Sequence, residues 1–530
     1  MSCQLSQTST SLPGSEITTA AYTGREMSTA SNQSVIARLL AIGGELVPPA
    51  PGMPRRKFDL AHMRVLLEAL GNPQLCFPSV LIAGTNGKGS TAATLASILQ
   101  AAGHRVGLYT SPHLEYPNER IRINGVAIPD EGLATLFTHV EASAERLVGE
   151  ARLPYSPSFF ETVTAIAFLH FAGVNASFAA HGQAFSLQGA SAEAFTPFAS
   201  TLPAASQFPH LHLPHAVDIA VLEVGMGGRL DSTNVVEPLL SILTDISLDH
   251  IGWLGSTVQE ITREKAGILR QNGTLVTLPQ HPEANQTIGE IAIPLGVHAI
   301  NAADYFPQRS QDVMENTTLT AMFCNRYVLS LPGDLFPGAV LKVDSPLGGA
   351  HQQRNIALAI AAAIALHQQH GFTLTLETLE QGIQDTVWPG RLQLLQPPTG
   401  CPGHAPILLD AAHNPAGAWT LRAALSPLSI SGPRTLVFGC MADKAITEIA
   451  QILFPVFDQV FLTQIPNARA ASLEDLASAT QSTGTPYRSF QFASEALAEA
   501  QASTPAHGLV VLAGSVALLG DWIGQLQDWH

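Results

Sequence analysis

Residues 79–103 place the tightest constraint on how this chain can fold. SVLIAG is a short apolar run that reads as a buried strand, and TAATLASILQAAG reads as a helix stopped by glycine. Between them lies a turn too rich in glycine to belong to either. A strand that passes through such a turn directly into a helix belongs in a parallel sheet whose faces are covered by helices. RVGLYTS then predicts a second strand, SFFETVTAIAFLHFA a buried helix, and VDIAVLEVG and LLSILTDI two further strands, followed by a helix from about Glu260 to Leu269.

The same rhythm returns later in the chain. HQQRNIALAIAAAIALHQQHG predicts a long helix closed by Gly371, and APILLDAAHNP, RTLVFGCM, VFLTQI and HGLVVLAGS are four more strand candidates separated by helical patterns. With 530 residues the chain exceeds the ~250–300 at which one core stops growing, so two units are expected. The fold class is expected to be α/β: an N-terminal P-loop-type domain on a mostly parallel sheet, over 34–342, and a smaller C-terminal Rossmann-like α/β domain, over 343–530. Residues 1–33, rich in Ser, Thr and Ala, are expected to form a disordered extension. The Ser/Ala/His/Phe/Pro-rich stretch 176–215 has no period and reads as a surface insertion. From Phe58, FDLAHMRVLLEAL has helical spacing.

Composition removes several classes. There are 42 acidic residues against 26 basic ones, a net charge of −16, which argues against a chain that wraps nucleic acid. The longest apolar runs, Ile356 to Leu366 and Leu509 to Gly520, fall well short of the ~20 residues of a spanning helix, so no membrane role is expected. Cys3, Cys76, Cys324, Cys401 and Cys440 are scattered and lack metal-ligand spacing; they read as reduced thiols of a cytoplasmic protein.

The chemistry begins at AGTNGKGST, residues 83–91. Gly84, Gly87 and Gly89 let backbone N–H groups close around phosphate oxygens, helped by the positive end of the helix that follows. Lys88 can reach the terminal phosphates, and the hydroxyls of Ser90 and Thr91 sit where Mg²⁺ would be held. Gly89 stands between the lysine and Ser90, a departure from the usual GxxxxGK[ST] spacing. Glu223 ends an apolar strand, at the carboxyl edge where parallel sheets bind ligands. Asp249 and His250 follow another strand. Spacing alone reads Glu260, Arg263, Glu264 and Lys265 as a solvated charged face. In the second half, Asp410, His413 and Asn414 follow ILLD, where a ribose or metal-bound phosphate could be held or where a polar turn could form. Arg391, on a Pro/Gly turn, could reach across a cleft to a phosphate. Asp443 and Lys444 are equally consistent with a surface ion pair.

In order along the chain, GTNGKGS, YTSPHL, NERIRING, FFE, LEVGMGGRLDSTN, SLDH, REKAGI, HQQRN, WPGRL, LDAAHNP, FGCMADK and a C-terminal GS resemble the folylpolyglutamate synthase/dihydrofolate synthase family, the folate branch of the Mur ligases. The resemblance runs from about Phe58 to Leu519. It implies that Gly84, Thr85, Asn86, Gly87, Lys88, Gly89 and Ser90 cradle the phosphates of ATP. It implies that Asn355, Arg391 and Asp410, with His413 nearby, contact the same nucleotide. Ser111, Glu223 and His250 match positions that hold two Mg²⁺ ions. Lys265 matches a lysine that the family carbamylates, against the reading from spacing, and its carbamate would supply hard oxygen ligands to Mg²⁺. Phe58, Asp59 and Leu60, Ser158, and Leu230, Asp231 and Ser232 match segments around the pterin-carrying substrate.

The implied reaction is amide ligation through an acyl phosphate, with Lys88, Lys265, Glu223 and His250 as the catalytic set. The substrates would be L-glutamate, ATP and dihydropteroate or folate, and the bifunctional form is expected. A monomer is implied. Two alternatives are a Mur ligase acting on UDP-linked muropeptides and a P-loop kinase or ATPase. The first needs a folded domain ahead of the phosphate loop, for which the 83 residues before Gly84 are too few. The second would release ADP without glutamate.

Overall fold

The computed structural model describes residues 30–42, 59–174, 216–307, 319–331, 336, 338–398, 403–465, 467, 469–523 and 526. Phe58, Cys3, Cys401, residues 1–29 and the expected insertion 176–215 lie outside them. The last residues of the expected N-terminal extension are helical, because helix α1 spans Ala30–Ala41. Helices α2 (Leu60–Ala69), α3 (Lys88–Ala101), α4 (Asp130–Gly149) and α5 (Phe159–Phe171) follow.

The first sheet has eight strands: β1 (Ser79–Ala83), β2 (Val106–Tyr109), β3 (Ile121–Ile123), β4 (Val126–Ala127), β5 (Ile219–Glu223), β6 (Leu240–Leu243), β7 (Thr274–Thr277) and β8 (His298–Asn301). They lie in the order β4-β3-β2-β5-β1-β6-β7-β8, parallel except at the β2–β3 and β3–β4 pairs. β1 is central, and every residue in it is buried. Leu81 and Ala83 face a core built with α2, α4 and α5, while Val80 and Ile82 face one built with α3. Burial on both faces explains why the strand reads as an unbroken apolar run.

A hairpin of β9 (Asn325–Ser330) and β10 (Val340–Ser345) precedes the long helix Ala350–His370. Gly371 closes that helix in the left-handed conformation, as its position in the sequence suggests. Residues Ile356 to Leu366 are almost wholly buried around the full helix circumference. Among the described residues no helix is long and apolar enough to cross a membrane. The helix packs on α3, as does the next one, Leu376–Gln384. Both therefore complete the core of the first sheet, so packing changes over in the linker 385–392 and not at residue 343.

The second sheet comprises β11 (Gln393–Leu395), β12 (Ile407–Asp410), β13 (Arg434–Phe438), β14 (Gln459–Thr463), β15 (Tyr487–Phe490) and β16 (Leu509–Ala513). The order is β11-β12-β16-β13-β14-β15, and only β11 is antiparallel. Separate cores cover its two faces. Cys76, Cys324 and Cys440 are free thiols, and burial pushes the Cys440 thiol up to about 12.

The helix of the phosphate loop, α3, is held from outside by Gly382. A Cβ added there would lie 2.3 Å from Cα of Ile98, a backbone atom that cannot move aside. Alanine would gain roughly 0.5–1 kcal/mol of helix propensity, but overpacking costs roughly 1–3 kcal/mol. Gly382→Ala is therefore expected to lower the thermal unfolding midpoint although alanine is the better helix former, and circular dichroism melting checks this.

Candidate active site

Successive parallel strands deliver their polar loops to one edge, and the edges of both sheets open on a shared cleft of about 540 Å³. β1 contributes Gly84 to Gly87, with α3 starting at Lys88. Gly87 adopts φ +88° and caps the helix; a Cβ on it would meet Oδ1 of Asn355 at 2.2 Å. The loop is pinned to β6's continuation: the N–H groups of Thr85 and Asn86 donate to the carbonyl of Asp245, and Thr85 Oγ1 donates to the Ser247 carbonyl. Asp245 is gripped by Arg354 through contacts of 2.6–3.0 Å.

Two lysines converge on this loop. Lys88 Nζ curls back to donate to the carbonyls of Gly84 and Thr85, both at 3.2 Å. Lys265, at the end of the helix Val258–Ala266, donates to the Gly84 carbonyl at 2.6 Å and is only 4% exposed. Burial, reinforced by the charge of Lys88, brings its amine down to about 7, with Asp249 and Asp231 opposing.

Glu223 is buried at the end of β5 and accepts the backbone N–H of Ser111 at 3.1 Å. His250 sits at φ +50°, a left-handed conformation that costs a non-glycine residue on the order of 1–3 kcal/mol. Its Nδ1 is buried without a hydrogen-bond partner among the described residues. Burial lowers its pKa to about 4, so the ring is neutral near pH 7 and Nδ1 or Nε2 offers a lone pair. These donors fit a hard divalent cation. Among the described residues no three His, Cys, Asp or Glu side chains stand together as a complete metal cage. Glu223 offers a carboxylate oxygen of the kind that a hard cation such as Mg²⁺ takes from a protein, phosphate and water supplying the rest of its shell.

The second sheet supplies Asp410 and His413 past β12. Asp410 accepts the N–H groups of Leu392 and Ala412, both at 2.9 Å; burial raises its pKa, with Arg391 and those bonds opposing. Arg391 lines the cleft close to Asp410 and Glu223. His413 donates to the Ala411 carbonyl through Nδ1 at 2.8 Å and is held near 4 by burial and by Lys444.

Asp249 ties the two sheets together. Its carboxylate accepts Lys444 Nζ at 3.1 Å and Asn414 Nδ2 at 3.3 Å, and Asn414 Nδ2 also reaches Oδ1 of Asn86 in the phosphate loop at 3.1 Å. Burial would raise the pKa of Asp249, but His250, Lys444 and His413 outweigh it and hold the group well below the usual carboxylate range. Asp249 and Lys444 lie within the resembling segments SLDH and FGCMADK, but the resemblance gives neither a role, and the only other local signal is that each follows a strand. His351, half-buried and held near 4 by desolvation and Arg391, lines the same cleft; it opens the segment HQQRN, but the resemblance gives it no role.

The structure thus brings together Gly84 to Ser90, Ser111, Glu223, His250, Lys265, Asn355, Arg391, Asp410 and His413. Among the described residues, those expected around the pterin do not line this cavity. Asp59 caps α2, and Ser158 caps α5, whose first residue Phe159 does line it. Leu230 is half-buried, and Asp231 and Ser232 are buried beside it; Asp231 accepts the N–H of Met226, a lining residue, at 2.9 Å.

Lys444 and Asp249 each expose about 10% of their side chains, so removing one partner leaves a poorly solvated charge. Lys444→Met is expected to cost roughly 3 kcal/mol. The readouts are a lower melting midpoint and a larger radius of gyration in small-angle scattering of the nucleotide-free protein.

The Mur ligase middle domain matches residues 174–363, and the Mur ligase glutamate ligase domain matches residues 390–516. The chain is 31% identical over 443 residues to the dihydrofolate synthase/folylpolyglutamate synthase of Bacillus subtilis, covering 80% of this chain and 85% of that protein. It is 32% identical over 413 residues to the folylpolyglutamate synthase of Lacticaseibacillus casei, covering 77% and 82%. The solved structure of Mycobacterium tuberculosis folylpolyglutamate synthase complexed with ADP and AMPPCP superposes with a TM-score of 0.70 at 26% identity, over 93% of this chain and 98% of that one. With its phosphate loop and two α/β units facing one cleft, the chain belongs to the folylpolyglutamate synthase/dihydrofolate synthase family of Mur ligases.

Proposed function

We propose that this chain is an ATP-dependent ligase that joins L-glutamate to dihydropteroate and to the γ-glutamyl tail of a reduced folate. The reading rests above all on the cleft that sets the phosphate loop 84–90 opposite Arg391, Asp410 and His413 of the second unit. Backbone N–H groups at the start of α3 and the Lys88 ammonium hold the phosphates of ATP. Asn355 borders the loop, and Arg391 and Asp410 close on the nucleotide from the other side. Mg²⁺, held by Ser111, Glu223 and His250, would neutralise charge that develops on the transferred phosphoryl group.

A carboxylate oxygen of the acceptor attacks the γ-phosphorus, and ADP leaves. The α-amine of glutamate then attacks the acyl carbon, loses its proton, and inorganic phosphate departs with the electron pair of the broken C–O bond. Asp59, Leu60, Ser158, Leu230, Asp231 and Ser232 would shape the acceptor's pocket through the backbone that they cap or anchor. The contacts between Asp249, Lys444, Asn414 and Asn86 close the site against water, which would hydrolyse the acyl phosphate.

Lys265 supports the same reading. A buried amine brought down to about 7 is partly uncharged near neutral pH, so its nitrogen can bond to the carbon of CO₂ and release a proton. The carbamate replaces a cation with oxygen ligands. With ¹³C-bicarbonate, a protein carbamate resonance is expected that Lys265→Ala lacks, together with a large loss of turnover in that variant. A spectrum of active protein without the resonance removes the carbamate from the mechanism.

The function is tested by phosphate release from ATP with Mg²⁺ and L-glutamate, offering dihydropteroate and a reduced folate monoglutamate separately. Glutamate-dependent release with each acceptor is expected; release with one alone restricts the activity to that step, and glutamate-independent release overturns the ligase reading. In the same assay Lys88→Ala should lose a factor on the order of 10²–10³ in kcat while keeping its melting midpoint. Near-normal turnover would remove Lys88 from the phosphate site.

A further inference from the structure

The linker 385–392 carries Arg391 into the cleft, but its most intimate contact with the first unit is made by Trp388. A Cβ placed on Gly89 would lie 2.5 Å from Cζ2 of Trp388, 2.9 Å from Cε2 and 3.1 Å from Nε1. The indole occupies the space that any side chain at 89 would need. This explains the departure of the loop from the usual spacing, in which the residue after the lysine carries a hydroxyl. Nε1 of Trp388 is buried and has no acceptor among the described residues, an arrangement that costs free energy. The ring is therefore held against the loop by packing and not by a hydrogen bond.

The far end of the linker is fastened to the second sheet. The Gly390 carbonyl accepts the N–H of Ala411 at 3.0 Å, and the Gly390 N–H donates to Gln393 Oε1 at 2.9 Å. Pro389, with its fixed φ, stiffens the one step between Trp388 and these anchors. Arg391 Nη1 donates to the Gly390 carbonyl at 3.2 Å, so its guanidinium is folded back onto the same short segment.

We propose that Trp388 is a positioning residue: seated on Gly89, it sets the place at which Trp388-Pro389-Gly390 delivers Arg391 to the phosphates. The inference rests on the proposed function in that the loop must bind ATP. It adds that the glycine after Lys88 and the indole of the linker are one interlocking pair.

The test is a double-mutant cycle read by calorimetric ADP binding and by kcat, with circular dichroism to confirm folding. Gly89→Ala is expected to weaken ADP binding at least fivefold, because the methyl group and the indole compete for one space. Trp388→Leu should lose at least tenfold in kcat, since Arg391 is no longer held, and keep ADP affinity within about twofold of the parent protein, since ADP lacks the γ-phosphate to which the linker would deliver that guanidinium. In Gly89→Ala/Trp388→Leu, ADP affinity should return to within about twofold while kcat stays low. A double variant as weak for ADP as Gly89→Ala, or a Trp388→Leu protein with full kcat, overturns the proposal. If Trp388→Leu does not fold, Trp388→Phe replaces it in both arms. Absence of ADP binding by the parent protein would instead overturn the functional reading on which the inference stands.

Discussion

Parallel strands cannot be joined by hairpins, so each must send its chain back over a face of the sheet before the next begins. Every loop that leaves a carboxyl end therefore falls on the same edge. Here that edge collects Gly84 to Gly87 after β1, Ser111 after β2, Gly225 to Gly227 after β5 and Asp249 and His250 after β6. The second sheet repeats the arrangement with Asp410 to Asn414 after β12, Lys444 after β13 and Gly514 to Ala517 after β16. A site assembled from residues hundreds of positions apart follows from strand direction alone. The antiparallel pairings, of β3 with β2 and β4 in the first sheet and of β11 with β12 in the second, are confined to sheet margins, where they leave the collecting edge intact.

Concentrating cations on that edge has an electrostatic cost that the anionic ligands would relieve. Lys88 and Lys265 bond to the same Gly84 carbonyl, and Lys88 helps to lower the pKa of Lys265. Lys444 acts on His250 and His413 in the same direction. Against these stand Glu223, Asp249 and Asp410, all three already committed to backbone N–H groups or to cross-cleft contacts. A chain of net charge −16 thus carries a locally basic pocket, which draws polyphosphates in without making the whole surface attractive to nucleic acid.

The parts legible in the sequence were those whose signal is local. Strand–glycine–helix at 79–103 specified the phosphate loop, and a glycine just past an apolar helix specified the end at Gly371. Lys265 was not legible from spacing: Glu260, Arg263 and Glu264 on the same helix are at the surface, and only tertiary packing turns the lysine's end of the helix under the loop. The family resemblance supplied what the periodicity could not. Lys444 read equally well as a surface ion pair because its partner, Asp249, lies 195 residues earlier. The helices between 350 and 384 read as part of the second unit because nothing local says which sheet a helix will cover. Short strands such as β7 and β8, at the polar end of the first sheet, lack the long apolar run that marks β1.

Closure and opening place opposite demands on the contacts between the two units. Each sheet has its own apolar cores, and apart from Leu114 and the Trp388 ring the side chains that link the units near the phosphate loop do so through polar groups: Lys444 with Asp249, and Asn414 with Asn86 and Asp249. Had the units shared an apolar core, separating them would expose it to water at roughly 25 cal/mol per Å². Polar groups can exchange their partners for water at far smaller net cost. Asn86 belongs to the loop that receives phosphate, so an arriving nucleotide competes for a group that helps to hold the cleft shut. The same few bonds can therefore yield to a substrate on entry and re-form around it before the water-sensitive step, without either sheet giving up its packing.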